Sequence, residues 1–248
     1  MAELVLVGVI AAFGESIDSA LGMMYGTLLS PILILFGYDP LIVIPSILVS
    51  QAVGGTVGSI RHHAHGNASF NGLTRDMKIA LAIAVPGIAA CAAGAYVGNL
   101  LPKMYITLYI GVIVLLMGVI CIRPVYYRFT WAKMWGIGLV SGFNKALSGG
   151  GFGPITSTGK ILGGVDPKVS VGTTTLAEVP ICLASFALWL VFGGSIGWQF
   201  PVAMCAGAIV GGAVGPFITS RIRTSALRVV VGVVAVASGV WLLIALLV

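Results

Sequence analysis

"FGPITSTGKILGGVDPKVSVGTTTLAE", Phe152 to Glu178, repeats a stretch that the chain has already used once. Laid without gaps on "YGTLLSPILILFGYDPLIVIPSILVSQ", Tyr25 to Gln51, it sets Gly153 on Gly26, Ser157 on Ser30 and Gly164 on Gly37. Asp166-Pro167 falls on Asp39-Pro40, and Glu178 on Gln51. Upstream, "NKAL" (Asn144 to Leu147) reads against "DSAL" (Asp18 to Leu21). Downstream, Gly211 and Gly215 answer Gly94 and Gly98, and Gly232 and Gly239 answer Gly111 and Gly118. The order is kept throughout, so the chain consists of two repeats, 1–122 and 134–248. The linker, "RPVYYRFTWAK", covers 123–133.

What surrounds the repeats is hydrocarbon. Of the 248 residues, 58 % are hydrophobic and only 8 % charged, against about 25 % charged in a soluble domain. Mean hydropathy is +1.10. So few charges cannot cover a soluble fold, and composition predicts an integral membrane protein. The net charge of +6 does not signal nucleic-acid binding, because the basic residues sit singly in gaps between apolar runs. The opening "MAELVLVGVIAAFGES" has no basic leader and carries Glu3, so it does not read as a cleaved signal peptide.

Each repeat follows one plan. A short apolar piece (4–13, then 134–140) reaches a polar break, and a second piece follows (20–37, then 147–163). Asp-Pro then starts a new helix, with Asp as the cap and Pro in the first turn. That helix covers 41–60, then 168–192. Two more follow, at 78–100 and 104–122, then at 198–219 and 226–248. The last three approach or exceed the ~20 residues that span a bilayer. The first piece is too short to span, which predicts a re-entrant hairpin of two half-helices around a break. Irregular backbone at membrane depth is tolerated only inside protein or beside a water-filled cavity. The expected fold is an all-α membrane protein with two inverted repeats, each a re-entrant broken-helix hairpin plus three transmembrane helices.

Basic residues give the sidedness. Three crossings per repeat put Arg61, Arg75, Lys78, Arg123, Arg128, Lys133, Lys168, Arg221, Arg223 and Arg228 on one side. The other side keeps Lys103, near Asp39 and Glu3. The first side is therefore expected to be cytoplasmic, with the linker inside and both termini outside a plasma membrane. Counting every half-helix as a span gives ten crossings and the same sidedness. Gly54/Gly58, Gly94/Gly98, Gly207/Gly211 and Gly211/Gly215 have the spacing that lets helices approach. Small residues are also simply common in membrane helices. Cys91, Cys121, Cys182 and Cys205 lie in apolar runs and read as core residues. The "RHHAHGN" cluster, Arg61 to Asn67, reads as a polar loop, with a metal or pH-sensing role as the alternative.

Four ionisable residues fall at membrane depth: Glu15, Asp18, Lys145 and Glu178. Such residues are costly there and usually functional. Inverted repeats with broken helices place a substrate site between the halves. In "SGFNKALSGGGFGP", Ser141 to Pro154, successive glycine amides, a helix N-terminus and Lys145 suit an oxyanion. The glycines also serve close helix crossing. "GPITSTGKI" only resembles a nucleotide loop, because the spacing of Gly153 and Gly159 before Lys160 is one too long and Ile161 replaces the magnesium-binding hydroxyl. The substrate-binding candidates are Asn144, Lys145, Ser148, Gly149, Gly150 and Gly151. Ser19, Tyr25 and Gln51 join them from the first repeat, and Thr174 and Thr175 from the second. Threonines in such helices also bond back to the preceding turn, and Glu178 has an ion pair with Lys145 as its structural alternative. Three acids would repel the anion that Lys145 attracts. Proton uptake relieves this, with Glu178 first, then Asp18 or Glu15, as proton carriers.

These motifs resemble the sulfite exporter TauE/SafE family, also called the toluene-sulfonate uptake permease family. Ser141-Gly142, Leu147 to Gly153, Asp166-Pro167 and Thr173 to Thr175 carry the likeness in the second repeat. The first departs from it at Met23-Met24-Tyr25, beside Glu15 and Asp18. The resemblance implies transport of small sulfur-containing or organic anions, such as sulfite, sulfonates or sulfoacetate. The expected function is a proton-coupled secondary transporter working by alternating access, and not an enzyme. A cation transporter or channel using Glu15, Asp18 and Glu178 is the alternative. Expected partners are the small anion and the lipid bilayer, with a homodimer left open. No cofactor, metal or nucleic acid is expected.

Overall fold

The structure is a computed structural model that describes residues 2–122, 127–193, 197–244 and 246. Arg123 and the rest of 123–126 lie outside the described residues, as do the side chains of Lys103 and Arg228. The described residues form ten helices and no strand. The first repeat holds α1 (Ala2–Leu21), α2 (Tyr25–Leu35), α3 (Pro40–Ala64), α4 (Arg75–Leu100) and α5 (Lys103–Ile122). The second holds α6 (Trp131–Ser148), α7 (Phe152–Leu162), α8 (Pro167–Gly193), α9 (Gln199–Arg221) and α10 (Thr224–Ile244). α1, α3, α4, α8, α9 and α10 are long and apolar enough to cross a membrane. At 1.5 Å per residue, α2 and α7 extend only about 16 Å, half of a hydrocarbon core.

The boundaries correct the sequence reading in one respect. The first helix of each repeat does not stop at 13 or 140. It runs on through the polar residues, so Glu15, Asp18 and Lys145 are helical and buried. The breaks are Gly22–Met24 and Gly149–Gly151, and the short pieces are the second ones. A polar residue ends a helix only when it takes over a backbone partner, and here the side chains find tertiary partners instead. The true stop is set by backbone sign. Gly22, Gly149 and Gly151 have φ of 72°, 73° and 74°, where L side chains are disfavoured. Met24 takes the place of Gly151 at φ 114°, so the first break holds a strained residue.

The same geometry corrects the repeat register. Gly22 N–H donates to the Asp18 carbonyl, and Gly149 N–H to the Lys145 carbonyl. The equivalent of Asp18 is therefore Lys145, not Asn144.

Packing exchanges the halves. α1 packs on α9 as α6 packs on α4, while α3 meets α8 and α5 meets α10. Glycines carry these contacts. A Cβ at Gly211 would lie 2.5 Å from the Ala12 carbonyl oxygen, and one at Gly98 2.6 Å from that of Leu147. The paired glycines thus serve packing. The two breaks interlock at the centre: Gly26 backs on to the Gly149 carbonyl, and Gly153 on to that of Gly22. Large apolar side chains such as Leu108, Leu116, Val214 and Val229 face outward, as lipid contact requires. Of the cysteines, Cys91, Cys121 and Cys182 are buried and Cys205 partly so. Tyr127 ties the linker to the end of α7. Its N–H donates to the Leu162 carbonyl at 2.9 Å and its hydroxyl to that of Gly159.

Candidate functional site

Between the breaks lies a buried polar cluster drawn from α1, α3, α6 and α8. Lys145 Nζ sits 2.8 Å from Glu178 Oε1 and also donates to Gln51 Oε1. Gln51 Nε2 donates to Asp18 Oδ2 at 3.2 Å. The four residues are two equivalent pairs: Asp18 with Gln51, and Lys145 with Glu178. Each repeat brings one charged residue on its first helix against one polar residue on its third. The bond from Lys145 to Gln51 joins the repeats. All four are at least 96 % buried, so the ion pair is shielded from solvent on both sides.

Asp18 has a second task. Its Oδ1 accepts the N–H of Tyr25 at 2.8 Å, capping α2. A carboxylate thus occupies the positive end of that helix. In the second repeat the same place belongs to Lys145, which cannot accept a hydrogen bond. α7 has no side-chain cap, and its first-turn amides begin at Phe152. Beside this end stands Asn144, fully buried, whose side-chain amide has no close hydrogen bond and only the Tyr109 phenol as a longer-range polar neighbour. The Asn144 Cβ lies 3.4 Å from where a Cβ on Gly151 would be. A buried amide with its hydrogen-bonding capacity so little used is rare.

The glycine amides expected to form the cradle are occupied. Gly149 N–H donates to the Lys145 carbonyl, Gly150 N–H to Ser148 Oγ at 3.2 Å, and Gly151 N–H to Thr27 Oγ1 at 3.1 Å. Ser148 donates in turn to the Asn144 carbonyl at 3.2 Å. Thr174 and Thr175 bond elsewhere. Thr174 Oγ1 contacts Ser157 Oγ at 2.9 Å and the Ser170 carbonyl at 2.8 Å, and Thr175 bonds back to the Val171 carbonyl at 3.2 Å. Tyr25 sends its hydroxyl to Ser50 Oγ at 2.8 Å.

Glu15 and Ser19 form a second group on α1, facing α3 and α9. Ser19 Oγ donates to Glu15 Oε1 at 2.8 Å, and Glu15 Oε2 is buried with no partner. Gly54 makes room for this carboxyl, since a Cβ there would lie 2.8 Å from the carboxyl carbon.

Two groups escaped the sequence reading. His62 is not in a loop. It is fully buried on α3, its Nε2 2.8 Å from the Ser19 carbonyl oxygen and its Nδ1 3.0 Å from Asn67 Nδ2. Asn67 also donates to the Pro216 carbonyl at 2.8 Å, so this pair pins α1 and α9 to the end of α3. Lys160, considered only as part of a phosphate-loop look-alike, is buried between α7 and α8. Its signal was available: the position equivalent to a charged residue in one repeat holds Leu33 in the other.

Comparison with known proteins gives the family. A curated protein named Probable membrane transporter protein YtnM, from Bacillus subtilis (strain 168), is 26 % identical over 250 residues, covering 94 % of this chain and 80 % of its own length. The profile described as sulfite exporter TauE/SafE matches residues 4–242, both repeats and both breaks included. The chain is a multi-pass membrane transporter and belongs to the sulfite exporter TauE/SafE family.

Proposed function

We propose that the chain is a proton-coupled secondary transporter of small sulfur-containing or organic oxyanions, of the sulfite, sulfonate or sulfoacetate kind. The observation that carries this reading is the inequality of the two breaks. In the first, the Asp18 carboxylate sits on the N-terminus of α2. In the second, the equivalent N-terminus has no side-chain cap, Lys145 holds the sequence position of Asp18, and the sparsely bonded amide of Asn144 lies beside it. The chain's own carboxylate marks where an anion belongs, and the substrate takes the corresponding place at α7. Inverted repeats, with the linker cytoplasmic and the termini outside, fit the distribution of basic residues, and rocking of the halves about the interlocked breaks gives alternating access.

For the anion to engage Lys145, Glu178 must release it. The proton carrier best supported by the geometry is Glu15, ahead of Glu178, because Glu178 already has its cation while Glu15 Oε2 has no partner. Proteoliposomes loaded with radiolabelled sulfite, taurine-type sulfonates and sulfoacetate test the reading. Lys145→Ala should abolish flux and Lys168→Ala, whose ammonium bonds the Ser220 carbonyl far from the breaks, should not. Equal loss, or none, refutes it. Glu15→Gln should flatten the pH profile of transport.

Three buried carboxylates against one paired lysine also favour a cation as cargo. Sodium or divalent-metal uptake in the same vesicles, with no sulfite flux, would establish that reading instead.

A further inference from the structure

Lys160 is a buried lysine with no ion pair among the described residues. It lies in the last turn of α7 with no exposed surface. Its Nζ donates to the Ser170 carbonyl at 2.8 Å and to Thr173 Oγ1 at 2.7 Å, both on α8. Among the described residues no carboxylate stands within 4.0 Å of it. The charged groups that bear on it are Asp76 on α4 and Glu178 on α8, and Glu178 is already paired with Lys145 of α6.

The fold does not need this lysine. Its repeat equivalent is Leu33, equally buried, and the places of Ser170 and Thr173 are taken in the first repeat by Val43 and by Ser46, whose hydroxyl bonds back to the Ile42 carbonyl. Leu33 and Val43 pack in one apolar cluster. The place of the lysine side chain is held by an apolar leucine in one half, where the equivalent hydroxyl turns back on its own helix, and by an amine bonded to the neighbouring helix in the other.

The hydrogen-bond valence is informative. The site supplies two acceptors. A neutral amine has two N–H groups and an ammonium has three. In this conformation the neutral amine is fully satisfied, whereas an ammonium would leave one N–H and its charge uncompensated in the protein interior. The site is also connected to the centre. Ser170 Oγ donates to the Ser157 carbonyl at 2.9 Å, and Ser157 Oγ lies 2.9 Å from the Gly22 carbonyl oxygen in the first break. Its other end is near the linker, where Tyr127 covers Gly159.

We propose that Lys160 is a proton site of the transport cycle, separate from the Lys145–Glu178 centre, holding a neutral amine in this conformation and an ammonium once α7 and α8 part and water reaches it from the linker side. The step is a proton exchange with water: the ammonium gives one proton to a water molecule, which leaves as hydronium, and the lone pair stays on Nζ. The proposal rests on the chain being a transporter and not on which ion it carries.

Two measurements test it. The first needs no substrate. Thermal unfolding of wild type and Lys160→Leu is followed in detergent as pH rises. A neutral lysine in the fold gains a proton on unfolding at any pH below the ordinary lysine value, about 10.4. Wild-type stability must therefore rise with pH relative to Lys160→Leu between about pH 7 and 10. A pH-independent gap overturns the proposal. Lys160→Met repeats the measurement should the leucine variant fail to fold.

The second counts protons per sulfite moved in proteoliposomes carrying a pH-sensitive dye. Lys160→Leu should still carry sulfite, with one proton fewer per cycle. Lys160→Arg, which cannot shed its proton, should fold and be slower by about 10²-fold or more. An unchanged proton count, or wild-type speed in the arginine variant, overturns the proposal. If wild type moves no sulfite at all, the oxyanion reading fails while the unfolding measurement still decides the role of Lys160.

Discussion

Replacing Lys145 by Met removes the only charge within ion-pairing distance of Glu178 among the described residues. At 2.8 Å, with side chains 1 % and 5 % exposed, the pair attraction is about 6 kcal/mol at an effective dielectric constant near 20. Most of that is offset by the cost of drying both groups. What the variant feels is different, because Glu178 stays buried while its cation is gone. Removing one partner of a buried pair costs about 3–5 kcal/mol. The Gln51 Oε1 acceptor is orphaned as well, unless its amide turns. Lys145→Met should therefore cost at least about 3 kcal/mol, and Glu178→Leu should cost a similar amount by stranding the lysine. The double variant places two apolar side chains where two charges stood, so it should be more stable than either single variant. The expected coupling is about 3 kcal/mol. Denaturant unfolding in mixed micelles, read by the fluorescence of the five tryptophans, measures all four corners of the cycle. Single variants within about 1 kcal/mol of wild type, or additive costs, would refute a pair whose members depend on each other for charge compensation.

Further outcomes follow from the same geometry. Gly26→Ala and Gly153→Ala, whose new methyl groups would overlap the Gly149 and Gly22 carbonyls, should each cost about 3 kcal/mol or more. Gly136→Ala, on an open face of α6, should be neutral or stabilising by up to about 1 kcal/mol in the same denaturant unfolding assay. Asp18→Ala should uncap α2 at a cost of about 1–2 kcal/mol and speed amide exchange at Tyr25, whereas Asp18→Asn should keep most of the cap. Burial pushes the Tyr127 phenol from its usual value near 10 up to about 12. Between those values the folded chain keeps a proton that the unfolded chain has lost. Wild type should therefore lose stability relative to Tyr127→Phe as pH rises through that window, and stay parallel to it below about pH 10. Ultraviolet difference titration of folded wild type against Tyr127→Phe should show equal tyrosinate up to near pH 10, with the extra phenolate of wild type appearing only nearer pH 12.

Much of the buried polar cluster was legible before any coordinates. Glu15, Asp18, Lys145 and Glu178 stood out because ionisable groups are rare in apolar runs, and all four are buried. Gln51 was found through its repeat partner, and it bridges the halves. The glycine run was read correctly as a break and too generously as a set of free amides, because a sequence shows donors but not the acceptors that reach them from another helix. Thr27 is such a partner, taking the Gly151 N–H from the other repeat, 124 residues away in sequence.

By itself the sequence determined the solvent and the plan. Charge content decided for a bilayer, and two internally similar halves decided for a duplicated bundle. Those conclusions rest on totals and on spacing, which need no contacts. Where each first helix ends was a matter for tertiary structure. Apolar and polar residues alike continue a helix when their side chains are satisfied from neighbouring helices, and only the positive φ at Gly22 and Gly149 stops it. That stop shifted the repeat register by one residue and set Asp18 opposite Lys145. Opposite charges at equivalent positions make one helix N-terminus capped and the other open. The buried surroundings of Lys160 were likewise invisible in one dimension, because the hydrophobic pattern that buries Leu33 is the same one that buries a lysine in the second half.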